Sequence, residues 1–240
     1  MFSFNSKIDV DDSGCRYCNM RYRTIFADLN ELEMNLLSTV KKCLVIKKGE
    51  TVFVENTSPR FLFCIKSGKF KISRIGSDIK EQIVHLAQEG DVMGFRAILG
   101  DSKYNCTGIS LEDSVICSIP KETFLSLVEG SPKLSTRVMQ LLSEMLKETE
   151  IKLTVLGQNS VRDRLIHSLC LLIDKYGFES DGKTINLHIR RQEIANMAGT
   201  VRETATRILY DLENEKIIKL KEKKITILDY SQLLNHSNIF

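Results

Sequence analysis

The sequence predicts an α+β chain, a β-roll followed by a long helix and a small helical domain closed by a hairpin, and three observations carry that reading. From Leu44 to Ile119 the apolar residues alternate or fall in short runs, the pattern of half-buried strands. At Ser131-Pro132 the period lengthens to that of a helix and holds to Gly157. Near the end, two helical stretches broken at Gly199-Thr200 are followed by two short strand-like runs. Domain boundaries are expected at 1–130, 131–157 and 158–240.

The clearest strand-like runs are Thr51-Val52-Phe53-Val54, Phe61-Leu62-Phe63-Cys64-Ile65, Lys69-Phe70-Lys71-Ile72 and Val115-Ile116-Cys117. Lys48-Gly49-Glu50, Ser67-Gly68-Lys69, Glu89-Gly90-Asp91 and Leu99-Gly100-Asp101 separate them, glycine allowing the positive φ of tight reversals. This predicts an all-β barrel or roll.

Ser131 reads as an N-cap and Pro132 as the first helical residue, where the missing N–H costs nothing. Val138, Leu142, Met145, Thr149, Leu153 and Leu156 then form one stripe on a helix of about 25 residues, roughly 38 Å long. Such a stripe packs on the roll or meets the same helix of a second copy; the second reading, a dimer seam, is expected. Gly157-Gln158-Asn159 reads as a hinge. Beyond it, Val161 to Tyr176 is an amphipathic helix, Thr184 to Ile189 alternates as a strand, and Arg191 to Leu212 is helical around the Gly199-Thr200 break. Ile217 to Leu220 and Ile225 to Leu228 flank Lys221-Glu222-Lys223-Lys224. Helix, turn, helix, hairpin is the order of a winged helix.

Composition narrows the function classes. The chain has 240 residues, 42% hydrophobic and 27% charged, with a formal net charge of +3. A charge that small leaves any polyanion contact to a local patch. No run approaches the ~18–20 apolar residues of a membrane span, and MFSFNSKIDVDD lacks the basic and apolar regions of a leader. The seven scattered cysteines fit no secreted disulfide framework, so a cytoplasmic protein with reduced thiols is expected. The sequons Asn56-Thr57-Ser58 and Asn105-Cys106-Thr107 then carry no weight.

Gly177-Phe178-Glu179-Ser180-Asp181-Gly182-Lys183-Thr184 satisfies the letter of the P-loop pattern, which makes a nucleotide hydrolase built on Gly177–Thr184 the competing enzyme reading. A P-loop needs a buried strand leading in and a helix leading out, so that amides and the helix end hold the phosphates. Here a helix precedes and an alternating stretch follows. No H-E-x-x-H, G-x-S-x-G or G-x-G-x-x-G occurs, and His85, His167, His188 and His236 are dispersed. The expectation is a protein that is not an enzyme.

The helix after Gly199-Thr200 separates into two faces. With Arg202 at zero and about 100° per residue, Glu203, Thr206 and Arg207 fall near 100°, 40° and 140°, whereas Val201, Ala205, Ile208 and Leu212 fall between roughly −120° and −60°. The second face would dock on Ile194 and Ala198. The first offers groups able to read base edges: arginine to guanine, glutamate to cytosine, threonine to either. Glu203 has an alternative, since Thr200-x-x-Glu203 is also a capping box. Arg191, Thr200, Lys221, Lys223 and Lys224 are candidates for phosphates, which add affinity without sequence information. A sensing β-roll with a degenerate DNA module is a further alternative.

Arg191-Gln192-Glu193-Ile194-Ala195, Gly199, Arg202-Glu203-Thr204 and Arg207-Ile208-Leu209 with the hairpin resemble the DNA-binding domain of the CRP/FNR family, the cAMP-receptor and anaerobic-regulator transcription factors. Lys48-Gly49-Glu50, Ile65-Lys66-Ser67-Gly68, Glu89-Gly90-Asp91-Val92-Met93-Gly94-Phe95 and Ile119-Pro120 resemble its cyclic-nucleotide-binding-type β-roll, and 131–156 its dimerisation helix. The resemblance implies a homodimeric transcription regulator that binds a pseudo-palindromic double-stranded DNA site, meets RNA polymerase, and is controlled by an effector at the roll. It makes Glu203 and Arg207 the shared base-contacting pair, matches Arg202 to the cAMP-receptor branch, and sets Thr206 where the anaerobic branch has a hydroxyl.

The same resemblance bears on the effector. Where the family's cAMP site has its glutamate, arginine and serine, this chain aligns Phe95, Tyr104 and Asn105, with Arg96 beside them. A buried phosphate would lack its arginine, so cAMP in the usual manner is not expected. The anaerobic branch carries a [4Fe–4S] cluster on four cysteines; Cys15, Cys18 and Cys117 match three of those positions, and the fourth holds Thr24. Threonine does not replace a thiolate. Cys43 is the substitute in view.

Overall fold

The computed structural model describes residues 14–76 and 80–235; residues 1–12, read above for a leader, and His236 lie outside them. Two compact units are present. One holds the residues up to Arg74 with His85–Met145, the other Ile75–Val84 with the chain from Leu146 onward.

The first unit opens with single 3-10 turns at Cys15–Tyr17 and Arg21–Arg23, then helix α1 (Glu31–Val40). Asn30 starts α1 with a capping box, its Oδ1 accepting from the Glu33 amide at 2.9 Å while Glu33 Oε2 accepts from the Asn30 amide at 2.8 Å. Strands β1 (Lys42–Ile46), β2 (Thr51–Phe53), β3 (Phe61–Ser67), β4 (Lys69–Ile75), β5 (Glu81–Gln88) and β6 (Val92–Met93) follow, then α2 (Phe95–Leu99), β7 (Thr107–Ser110), β8 (Ser114–Pro120) and α3 (Lys121–Gly130). They form two sheets of four strands, ordered β1-β8-β3-β6 and β2-β7-β4-β5.

Alternation along β3 and β8 divides the core. Phe63, Ile65 and Ile116 join Phe53, Phe70 and Ile72 between the sheets. Leu62 and Ile119 point the other way, where α1 (Met34, Leu37), α3 (Phe124, Leu127) and the next helix (Leu134, Val138) cover them. Gly68 turns β3 into β4 at φ 104°, and a Cβ there would lie 2.0 Å from Ser114 Oγ, so both conformation and space demand glycine. The all-β expectation for Leu44 to Ile119 is corrected at α2, whose five residues are too few to stand out from neighbouring strands, and Leu99-Gly100-Asp101 closes it instead of joining strands; α1 and α3 lie outside that stretch.

Helix α4 (Pro132–Gln158) starts at the expected proline and runs 27 residues. Two of the six expected seam residues are corrected. Val138 is 4% exposed in the core of its own chain, and Met145 packs against the same core. The expected hinge is also corrected: Gly157 and Gln158 belong to α4, and Ser160 starts α5 (Val161–Tyr176) by accepting from the Asp163 amide at 3.2 Å.

The second unit continues with α6 (Arg191–Ala198), α7 (Arg202–Asn214), β9 (Ile218–Lys221), β10 (Lys224–Ile227) and α8 (Tyr230–Asn235). Leu165, Leu169, Ile194, Ala205, Leu209, Leu212 and Ile225 are fully buried and form its core. Thr184 to Ile189 forms isolated bridges, Phe178 to Ile185 and Thr184 to Thr226, with single backbone bonds from Ile185 to Ile225 O at 2.9 Å and from Ile189 to Lys223 O at 3.1 Å, so no continuous strand spans the alternating stretch. Gly177–Thr184 is a closed turn. Asp181 Oδ1 accepts from the Lys183 and Thr184 amides at 2.9 and 2.8 Å, and those bonds with the Thr184 hydroxyl hold its carboxyl down at about 2. A carboxylate occupies the amides a phosphate would need, and no helix leaves the turn. Among the described residues no helix is long and apolar enough to cross a membrane.

Candidate nucleic-acid interface

Glu193 closes the start of α6 by accepting from the Arg190 amide at 2.8 Å. The chain leaves α6 through Gly199, in the left-handed region at φ 62° and ψ 47°, and the Thr200 amide donates back to Ala195 O at 3.0 Å. This tight turn aims α7. Ala205, Ile208, Leu209 and Leu212 are buried beneath it, whereas Arg202, Glu203 and Arg207 are exposed and Thr206 is half-buried.

Two details differ from expectation. Val201, not Thr200, occupies the N-cap of α7, with no side-chain capping bond. The capping box is therefore absent, and Glu203 is not spent on it. Val201 itself is 46% exposed, outside the packed face to which its helical angle assigned it, because it precedes the helix and has extended backbone. Among the described residues no ion pair engages Arg202, Glu203 or Arg207. Thr206 donates to Arg202 O at 2.7 Å, which leaves its oxygen free to accept.

The hairpin is tighter than predicted. Lys221 pairs with Lys224 in register, leaving Glu222 and Lys223 as the turn, with Glu222 at φ 53°. Lys221 and Lys223 are exposed. Lys224 Nζ meets Glu179 Oε2 at 2.8 Å, so that charge is partly answered within the fold. Arg191, at the first turn of α6, keeps a buried Nη1 without a hydrogen-bond partner, and burial lowers its pKa. Thr200 is half-buried.

Met139, Leu142, Leu146, Thr149, Leu153 and Leu156 on α4 lie outward at alternating steps of three and four, Leu146 and Leu153 being 61% and 65% exposed. Leu142, Thr149, Leu153 and Leu156 were in the predicted stripe. Met139 and Leu146 were missed, although a strict heptad count from Leu142 would have found both.

In the first unit Phe95, Arg96, Tyr104 and Asn105, the predicted effector residues, line one cavity with Phe53, Ile72 and Cys106. Tyr104 stacks on Phe53 with ring centroids 4.5 Å apart and donates its hydroxyl to Phe61 O at 3.1 Å. Burial pushes the Tyr104 phenol up to about 12. Arg96 Nη2 meets Cys106 Sγ at 3.5 Å.

A second cavity is lined by Cys15, Cys18 and Cys117, the three predicted metal ligands, and also by Cys64, Thr24, Arg21, Lys41 and Lys66. Cys64 was missed because nothing in its spacing links it to the others; only strand register does. Cys43 Sγ lies 2.9 Å from Cys117 Sγ. Among the described residues no group of three or more metal-binding side chains is drawn together as these stand.

The model of the Crp-like helix-turn-helix domain family matches residues 163–235, and that of the cyclic nucleotide-binding domain family matches residues 43–131. Over 229 residues the chain is 30% identical to the fumarate and nitrate reduction regulatory protein of Vibrio cholerae, covering 94% of this chain and 90% of that one. It is 29% identical to electron transport regulator A of Shewanella oneidensis, covering 91% and 88% of the two chains. In fold it resembles a solved regulator of the crp/fnr family from Eubacterium rectale, with a TM-score of 0.73 at 22% identity over 89% of this chain and 97% of that one.

Proposed function

The chain belongs to the CRP/FNR family of transcription regulators, and from that premise we propose that it acts in the cytoplasm as a homodimer reading a pseudo-palindromic DNA site. The observation that carries this reading is the exposed face of α7. Arg202, Glu203, Thr206 and Arg207 stand at the N-terminal end of a helix whose opposite face is buried, the end a helix-turn-helix protein sets into the major groove. Arg207 and Arg202 suit guanine edges, Glu203 suits cytosine N4, and Thr206 adapts. Lys221, Lys223 and Thr200 suit phosphates, as does the part of Arg191 that stays at the surface.

The outward heptad stripe of α4 suits a second copy of the same helix, which would set two α7 helices about one DNA turn, ~34 Å, apart. The DNA-bound dimer has RNA polymerase as its expected partner. The cavity of Phe95, Arg96, Tyr104 and Asn105 is the effector candidate. Its aromatic stack, and Tyr104 and Asn105 where an arginine and a serine are needed, argue against a cyclic nucleotide held in the family's usual way.

Sequence selection from random DNA followed by footprinting tests the proposal. The expected result is one enriched motif with two-fold symmetry, protected on both half-sites. Equal retention of random DNA, or protection without a symmetric partner, would overturn it.

A further inference from the structure

Strand pairing sets against each other two cysteines that lie 74 residues apart in sequence. Cys43 on β1 stands directly opposite Cys117 on β8, and their Sγ atoms are 2.9 Å apart. Residues paired across antiparallel strands have Cα atoms about 4.5–5.5 Å apart, inside the span of about 4.4–6.8 Å that a disulfide bridges. The backbone therefore already holds both residues where an S–S bond can form. Cys64 on β3 is also opposite Cys117, so register alone offers Cys117 two partners. The side chain of Cys117 decides between them, since its sulfur is turned to Cys43.

The two thiols are unequally placed. β1 is an edge strand of its sheet and Cys43 is half-buried, whereas Cys117 on the inner strand β8 is buried. A small oxidant reaches Cys43 first. Lys41 Nζ lies 3.5 Å from Cys43 Sγ, a cation beside the sulfur on which negative charge gathers as it attacks. A first oxidation product on Cys43 then has the Cys117 thiol in contact, the arrangement of a reactive cysteine with a resolving one.

We propose that Cys43 and Cys117 form a peroxide-sensitive dithiol, which a hydroperoxide closes to a cross-strand disulfide between β1 and β8. Cys43 Sγ attacks one peroxide oxygen, the O–O bond breaks and water leaves, which makes Cys43 a sulfenic acid. Cys117 Sγ then attacks that sulfur, the S–O bond breaks and a second water leaves. Two thiols and one hydrogen peroxide thus give one disulfide and two waters, the sulfurs losing two electrons and the peroxide gaining them. A small dithiol reductant reopens the bond by exchange and is itself oxidised to its disulfide. The inference goes beyond the DNA-binding reading and is tested without DNA.

The test treats the reduced full chain with one equivalent of hydrogen peroxide, alkylates the remaining thiols in denaturant, and maps linkages by mass spectrometry after digestion with trypsin and a glutamate-specific protease. Cleavage at Lys47, Lys66 and Glu112 puts Cys43, Cys64, Cys106 and Cys117 on separate peptides. The expected result is the Cys43 peptide joined to the Cys117 peptide within one chain, with free thiols falling from seven to five and returning to seven with dithiothreitol. Cys64→Ser and Cys106→Ser should still form the bond, and Cys43→Ser should leave Cys117 free. Because the linkage is read on the wild-type chain, a variant that fails to fold does not decide the matter. Linkage of Cys64 to Cys117 in the wild type, linkage only between chains, or peroxide consumed with Cys43 and Cys117 both left free would each overturn the assignment.

Discussion

Lys152 of α4 drives its ammonium against the backbone of β5, with Nζ 2.6 Å from Ile83 O. Burial lowers its pKa to about 8 from an ordinary 10.5. Between those two values the unfolded chain binds more protons than the folded one, so this group makes stability rise with pH from about 8 to 10.5. Below about pH 8 both states are protonated and the group contributes no slope. Lys152→Met should remove that part of the alkaline rise, measured as the difference between wild-type and variant in denaturant midpoint from pH 7.5 to 10.5. Identical pH profiles for the two proteins would show that the ammonium titrates as if in water.

Arg207 is exposed on α7, clear of the packed face. Arg207→Ala should cost about 1–3 kcal/mol on the selected site and relax preference at one base pair per half-site, with little loss on random DNA. Parallel titrations of the two DNAs check this. Equal losses on both would make Arg207 a phosphate contact.

Lys223 and Lys224 are neighbours with different situations. Lys223 is in the exposed turn, whereas Lys224 faces Glu179 at 2.8 Å. Lys223→Ala should weaken binding to all sequences alike and reduce the salt slope by about one. Lys224→Ala should do less, because its charge is already partly answered. The slope of log affinity against log salt for the two variants decides between them.

The helix-turn-helix was legible because two faces separate cleanly at helical spacing and glycine marks the turn between them. The start of α4 was legible from Ser131-Pro132 for a similar local reason. What the sequence withheld was long-range. Val138 and Leu142 share a stripe at helical spacing, yet Val138 turns into the core and Leu142 outward, a choice set by where the sheet presents Leu62 and Ile119. Cys64 looked like any strand residue until register set it opposite Cys117. The Thr200-x-x-Glu203 pattern failed as a cap because the helix begins one residue later than the motif requires.

The division of α4 makes a two-variant test of the dimer. Leu134 is 1% exposed within the core beneath α1 and α3, whereas Leu146 is 61% exposed at the centre of the outward heptad stripe. Leu134→Ala should cost about 2–5 kcal/mol of folding stability through the cavity it opens, without altering the association of the protein that remains folded. Leu146 is mostly exposed, so Leu146→Glu removes little packing inside the chain and the monomer should keep its fold. A carboxylate at a heptad seam position would be buried against its own copy at the two-fold, and unpaired burial of like charges opposes association. Sedimentation should therefore show Leu146→Glu as monomer at concentrations where wild-type is dimer, with binding to the symmetric site lost in step. A Leu146→Glu protein that remains dimeric would move the interface off α4.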